Sequence, residues 1–275
     1  MVRLMSLPQW RRARLAVAAA VAALAGVTVP AQQVAPVAPM PAHSLAKGYL
    51  SLPTVDSLAI APPPPAMGSA AEARDVAASR AALALRATPR WALATADADV
   101  FGPRITGALS CAAQVDIGPA TTPRLDALLH RTMTDLALSG SVIKRSFNRP
   151  RPFMVNGEQT CTPDWEPLLR KDGSYPSGHS AIGYGWGLIL AQLLPDRAAA
   201  LVARGRAFGD SRRVCNVHWL SDVEEGRVTA AMTVARLNAD PAFLADLDAA
   251  RAELKTAHAA PQGCEAEAGA LALAR

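Results

Sequence analysis

The chain is poor in aromatic residues, in β-branched runs and in long apolar stretches. Phe, Trp and Tyr supply 5% of its 275 residues. Without alternating β-branched segments there is little to build a sheet from. No apolar run reaches the roughly 20 residues that cross a bilayer. There are four cysteines, none in CxxC spacing, which argues against a zinc ribbon or a dithiol redox motif. Acidic residues are absent from the first 31 positions.

What is present is alanine and other good helix formers, in a chain that is 51% hydrophobic and long enough to bury a sizeable core. The net charge of +5 is misleading. Arg3, Arg11, Arg12 and Arg14 stand in the acid-free stretch. The 28 basic residues include these four, so the remainder carries 24 against 23 acids. Such a surface gives no case for nucleic-acid or anionic-membrane binding. The early arginines, the uncharged run Leu15–Val29 and Val29-Pro30-Ala31 read as a signal peptide over 1–31, cleaved after Ala31. No stable membrane insertion is expected after cleavage. Export to the periplasm or exterior would let Cys111, Cys161, Cys215 and Cys264 form two disulfides, with three possible connectivities. The pairing expected is Cys111–Cys161 and Cys215–Cys264.

Residues 32–67 form a Pro/Ala-rich arm ending near Pro62–Pro65, which favours extended chain. Helical signals then dominate 68–260, ahead of a C-terminal tail at 261–275. Ser69 and Glu72 match a capping box, and Pro89 ends that helix before a shorter one over Arg90–Ala98. Thr122-Pro123 opens a helix whose Leu125, Leu128, Leu129, Met133 and Leu136 share a face. Its pattern predicts continuation to Lys144 or Arg145. Residues 146–176 read as loop. Ser177–Leu194 is apolar almost all round, as a central buried helix would be, and its glycines imply a closely packed neighbour. Further helices are predicted over Arg197–Phe208, over Trp219–Leu237 and after Asp240-Pro241. The expected fold is an all-α helical bundle.

Three segments place charge where a core would not. Lys144 to Arg151-Pro152 joins a cationic helix end to a Pro-stiffened loop. Tyr175-Pro-Ser177-Gly178-His179 starts the buried helix, where unpaired N–H groups and the dipole favour an anion. Ser211-Arg212 to His218 and Asp222 offers a guanidinium fork, an imidazole and a carboxylate four residues on, a spacing that on a helix puts the last two on one face. Taken singly, each suits an ordinary solvated helix end or a surface pair. Together they supply a nucleophile, its orienting carboxylate, a second imidazole, three cations and a backbone anion nest. Those are the parts phosphoryl transfer needs.

The spacing Lys144-x6-Arg151-Pro152, Pro176-Ser177-Gly178-His179 and Ser211-Arg212-x5-His218-x3-Asp222 resembles the three-part signature of the phosphatidic acid phosphatase type 2 and vanadium haloperoxidase superfamily. Asp56-Ser57-Leu58-Ala59, Pro62–Pro65, Gly68-Ser69 and the stretch Cys215–Arg227 resemble its class A bacterial non-specific acid phosphatases. A departure is Glu224-Glu225 before Gly226, where the family commonly has a small residue. The resemblance implies a helical bundle and an exported acid phosphatase acting on small phosphomonoesters, with no cofactor or metal. Phosphotransferase side activity and a homo-oligomer are left open. His218 would be the nucleophile and Asp222 its orienting partner. His179 would be the general acid and base, while Lys144, Arg151, Ser177, Gly178 and Arg212 bind phosphate. The rival readings are a vanadium-dependent haloperoxidase using the same residues, and a non-catalytic periplasmic phosphate-binding protein. The second would not need both histidines.

Overall fold

The computed structural model describes residues 45–51 and 57–274. Residues 1–31, read from the sequence as a signal peptide, the arm up to residue 44 and Asp56 lie outside the described residues. Among the described residues every regular element is helical. In chain order the principal helices are α1 (Ala70–Leu83), α2 (Pro89–Ala98), α3 (Pro123–Leu138), α4 (Ser141–Phe147) and α5 (Gly178–Leu193). They continue as α6 (Ala198–Val214), α7 (Leu220–Leu237), α8 (Pro241–Leu254) and α9 (Cys264–Ala272). No helix among the described residues is long and apolar enough to cross a membrane.

Local chemistry accounts for the starts. The Ser69 side chain accepts from the Glu72 amide at 3.1 Å, and the Asp240 carboxylate accepts from Phe243 N at 2.9 Å. Both are N-caps, each worth about 1 kcal/mol. Pro89, Pro123 and Pro241 occupy first-turn positions that need no N–H donor.

α5 is the central helix, lying along α6 and against α7 and α3. The predicted stripe on α3 is buried from Leu125 to Leu136. It meets Trp186 of α5, whose indole N–H donates to the Leu129 carbonyl at 3.0 Å. Each such side chain contributes about 1.5–3 kcal/mol by leaving water. The α5–α6 contact is backbone on backbone. A Cβ at Gly205 would collide with the Gly183 carbonyl, so two helix axes come closer than larger residues permit.

The helix expected to run unbroken from Thr122 to Lys144 or Arg145 is two helices. Ser139 turns its hydroxyl onto the Leu136 carbonyl at 2.7 Å, and Gly140 follows as the cap of α4. The break redirects the chain so that Lys144 points towards the start of α5. α6 runs past Phe208 to Val214. The expected loop 146–176 contains short helical turns at Pro152–Asn156 and Glu166–Leu169.

The expected disulfide pairing is wrong. The bridges are Cys111–Cys264, with Cα atoms 5.4 Å apart, and Cys161–Cys215, at 4.7 Å. The loop after Arg151 folds back over the end of α6. Phe153 N donates to the Asn216 carbonyl at 3.1 Å, and Asn156 and Asn216 exchange side-chain bonds. That fold-back sets Cys161 in one cluster with Val214 and Val217. Cys264 opens α9, which packs on α2 and leaves its sulfur beside Cys111.

Candidate active site

The three charged segments converge at one end of α5. Lys144 comes from the last turn of α4 and Arg151 from the loop that follows. Ser177, Gly178 and His179 open α5. Arg212 ends α6, and His218 with Asp222 leads into α7. Ser177 N donates to the Asp222 carbonyl oxygen at 2.9 Å, and Arg151 reaches His218 at 3.1 Å. The contact between Ser177 and α7 requires Gly226, where any Cβ would collide with the Ser177 carbonyl.

His218 and Asp222 do not share a helical face as their spacing suggested. His218 precedes α7, with Trp219 as the N-cap. Asp222 is the third residue inside and reaches back to accept from Trp219 N at 2.8 Å. That capping bond turns the same carboxylate oxygen towards His218 Nδ1, 3.3 Å away. Arg151 Nη1 donates to His218 Nε2, since a guanidinium has only donors. Nε2 therefore carries the lone pair and Nδ1 the proton, which is donated to Asp222. His218 is 4% exposed. Burial, then Arg151, Lys144 and Arg212, push its proton affinity well below the ordinary histidine value. It is held neutral.

His179 faces a cavity of about 250 Å³ whose lining includes Arg212, Phe101, Trp165 and Leu169. Its Nε2–H donates to the Ala98 carbonyl at 3.0 Å, leaving Nδ1 as the atom that can pick up a proton. Burial and Arg212 depress its proton affinity as well. A bound dianion would act in the opposite sense.

The cations differ in their partners. Lys144 Nζ sits 3.1 Å from Asp172 and is pushed down to about 8 by burial and Arg151. Arg151 donates to Asp172 at 3.0 Å and to the carbonyls of Leu169, Asp172 and Val217. Arg212 is 2% exposed, and its buried Nε and Nη1 have no hydrogen-bond partner. Ser177 caps α5, accepting from Ser180 N at 3.3 Å. Gly178 is the first helical residue, whose N–H no intrahelical carbonyl can reach. Arg151 donates to the lone pair of His218, and Lys144 and Arg212 lie near enough to act on its charge, an arrangement suited to a tetrahedral oxyanion. Among the described residues no group of three or more His, Cys, Asp or Glu could hold a metal ion.

Sequence reasoning missed four contributors. Arg149 donates through Nη1 to Asp222 Oδ1 at 2.7 Å and through Nη2 to Asp75 Oδ2 at 2.8 Å. Asp75, on α1, also accepts from Ser221 N and Oγ, at 2.8 and 2.6 Å. Asp172 bridges Lys144 and Arg151. Arg149 lies in the Pro-stiffened loop, two residues before Arg151. Nothing in the sequence linked it to Asp75.

Residues 128–242 match the PAP2 superfamily. An acid phosphatase of Zymomonas mobilis is 40% identical over 202 residues, 74% of this chain and 76% of its own. The chain belongs to the PAP2 superfamily, among the bacterial non-specific acid phosphatases. A non-specific acid phosphatase of Salmonella typhimurium is 39% identical, covering 73% of this chain and 81% of its own. One from Providencia stuartii is 36% identical over 72% of this chain and 81% of its own. The superfamily match spans every candidate residue from Lys144 to Asp222.

Proposed function

We propose that this chain is an exported acid phosphatase that hydrolyses phosphate monoesters through a phosphohistidine at His218. The observation that carries the proposal is the lone pair on His218 Nε2, contacted by Arg151 and within the electrostatic reach of Lys144 and Arg212, with Asp222 behind it. The relatives named non-specific acid phosphatase support the substrate class. The signal-like first 31 residues and the two disulfides support export.

The chemistry follows from the geometry. The substrate phosphoryl group binds against Arg212, Arg151, Lys144 and the amide of Gly178. Nε2 forms a bond to phosphorus as the P–O bond to the alcohol breaks. Protonated His179 delivers its proton to the departing oxygen. The phosphorylated imidazole keeps its Nδ1 proton and is cationic, so the Asp222 carboxylate stabilises it. Neutral His179 then takes a proton from water as the water oxygen attacks phosphorus. The P–N bond breaks, and His218 returns neutral. The incoming dianion offsets the cations that otherwise discharge His179, so proton uptake is coupled to substrate binding. A rate maximum on the acidic side of neutral is expected, because the two histidines must hold opposite protonation states.

Rapid quench with labelled aryl phosphate, followed by alkaline workup, tests this. Label on His218 is expected, and it should persist in His179→Ala because an aryl leaving group needs little protonation. His218→Ala should lose roughly 10⁴-fold in turnover. Label on His179 would reverse the two roles. A burst with no trapped phosphoprotein would favour direct attack by water.

A further inference from the structure

Behind Asp222 lies a second ion pair that the steps above do not use. Arg149 is 11% exposed at its side chain and Asp75 is 2% exposed. The guanidinium plane of Arg149 also lies over the Trp219 ring, 5.3 Å from its centroid. The indole N–H of Trp219 is in turn fixed to the Pro150 carbonyl at 2.9 Å. Arg149 is therefore held from three sides: by Asp75 on α1, by Trp219 at the cap of α7, and by its own loop. Its Nη1 donates to Asp222 Oδ1 and Ser221 Oγ, at 2.7 and 2.8 Å. Asp222 has two oxygens with separate tasks. Oδ2 serves the cap and His218, while Oδ1 is held by Arg149.

We propose that Arg149, clamped by Asp75, is a positioning residue that keeps the Asp222 carboxylate aimed at His218. This inference rests on the role proposed above for the His218–Asp222 pair. Arg149 does not reach the atoms that would react; it acts through Asp222.

The electrostatics point the same way. Asp222 is fully buried, and burial raises its proton affinity. Arg149 is the largest opposing influence, followed by the Trp219 amide. The charged and titratable groups around Asp222 are Arg149 and Asp75 on one side, and Lys144, Arg151 and His218 on the other. Tyr175 lies alongside, and Glu225 follows one turn along α7. Lys144 and Arg151 already share Asp172, whereas Arg149 pairs directly with Asp222 through Nη1 while Asp75 holds its Nη2. A protonated Asp222 would no longer demand the Nδ1 proton of His218, and the lone pair on Nε2 would no longer be assured. Asp75 keeps the guanidinium from turning away and ties it to Ser221 at the start of the same helix.

The experiment compares Arg149→Gln, Arg149→Lys and Asp75→Asn with the unmodified protein on an aryl phosphate across pH. Arg149→Gln should lower kcat about tenfold to a hundredfold, by analogy with groups that orient metal-bound imidazoles from one contact away. KM should change little. The acid limb of the kcat/KM profile should move up by about one pH unit, since loss of an adjacent cation raises a carboxyl group's proton affinity. Arg149→Lys should restore part of both, and Asp75→Asn should shift the limb in the same direction by less. Adding Arg149→Gln to Asp222→Asn should cost almost nothing further. An acid limb that stays in place in folded Arg149→Gln and Asp75→Asn would overturn the inference. So would a loss expressed in KM with kcat preserved, or full additivity with Asp222→Asn. Absence of trapped label in the unmodified protein would count against the phosphohistidine alone, because the position of the acid limb is read independently of it.

Discussion

Arg212→Met is the most informative single substitution, because it should make the phosphate-free protein more stable while disabling it. Arg212 lies at the end of α6, where the helix dipole favours a cation. Its Nε and Nη1 are nonetheless buried without partners. Burial and the Arg151 charge pull its proton affinity down, which is the electrostatic expression of the same cost. Each unsatisfied donor costs about 1–3 kcal/mol, more for a charged group. A methionine of comparable length removes both donors and keeps most of the packing, at under about 1.5 kcal/mol for the change of shape. The expected net effect is a gain of about 1–4 kcal/mol. For a chain of this size each kcal/mol raises Tm by about 2–4 °C. Phosphate should reverse the order. A ligand at a hundred times its Kd adds about 2.7 kcal/mol to the protein that binds it, and the variant should forgo most of that. Turnover should fall by roughly 10²–10³, as for removal of one oxyanion donor. Thermal unfolding of both proteins, with phosphate titrated from zero to saturation, makes the comparison. If Arg212→Met is less stable than the parent without phosphate, the guanidinium is structural and the reasoning fails. Equal stabilisation of both proteins by phosphate would refute it as well.

Two further outcomes are expected. Glu225 is 8% exposed, with one carboxylate oxygen unpartnered, and burial raises its proton affinity above the ordinary 4.5. The penalty therefore appears as pH rises past that value, so Glu225→Gln should be more stable than the parent at pH 7. The advantage should vanish below about pH 4.5 in pH-dependent denaturant melts; an advantage constant with pH would exclude ionisation as its cause. Replacing Cys111 and Cys264 by Ser should cost about 2–5 kcal/mol in the same melts, with kcat nearly unchanged, because that bridge touches none of the site residues. A collapse of kcat in the folded variant would contradict this.

The bundle was legible because its signals are local. The α3 stripe, the caps at Ser69 and Asp240 and the apolar α5 each lie within one or two turns of sequence. The break at Ser139-Gly140 was not read from the sequence, because the apolar pattern continues past it to Ile143 and its local signals, one hydroxyl bonded to the preceding turn and one glycine, are weak. The three charged segments stood out by their chemistry and the fold brings them together, yet the His218–Asp222 spacing has a different origin from the one expected. It comes from a carboxylate capping a helix start, not from two side chains on one helical face. Asp75 lies 74 residues from Arg149 and 146 from Ser221, and an ordinary aspartate in an ordinary helix announces nothing at that range. The cysteine pairing failed for the same reason: three connectivities are equivalent until the loop after Arg151 is seen to fold back.

The bridges also change what a protease can do to this chain. Cys111–Cys264 spans 153 residues, with Cys161–Cys215 nested inside it, and every candidate residue from Lys144 to Asp222 lies within the outer ring. One peptide bond cut between Cys111 and Cys264 therefore opens the backbone without dividing the molecule. A cut beside the exposed Lys171 is spanned by both bridges, and its two fragments would remain bound until a reductant arrived. For such a molecule a single nick is a change of topology and not a loss of parts.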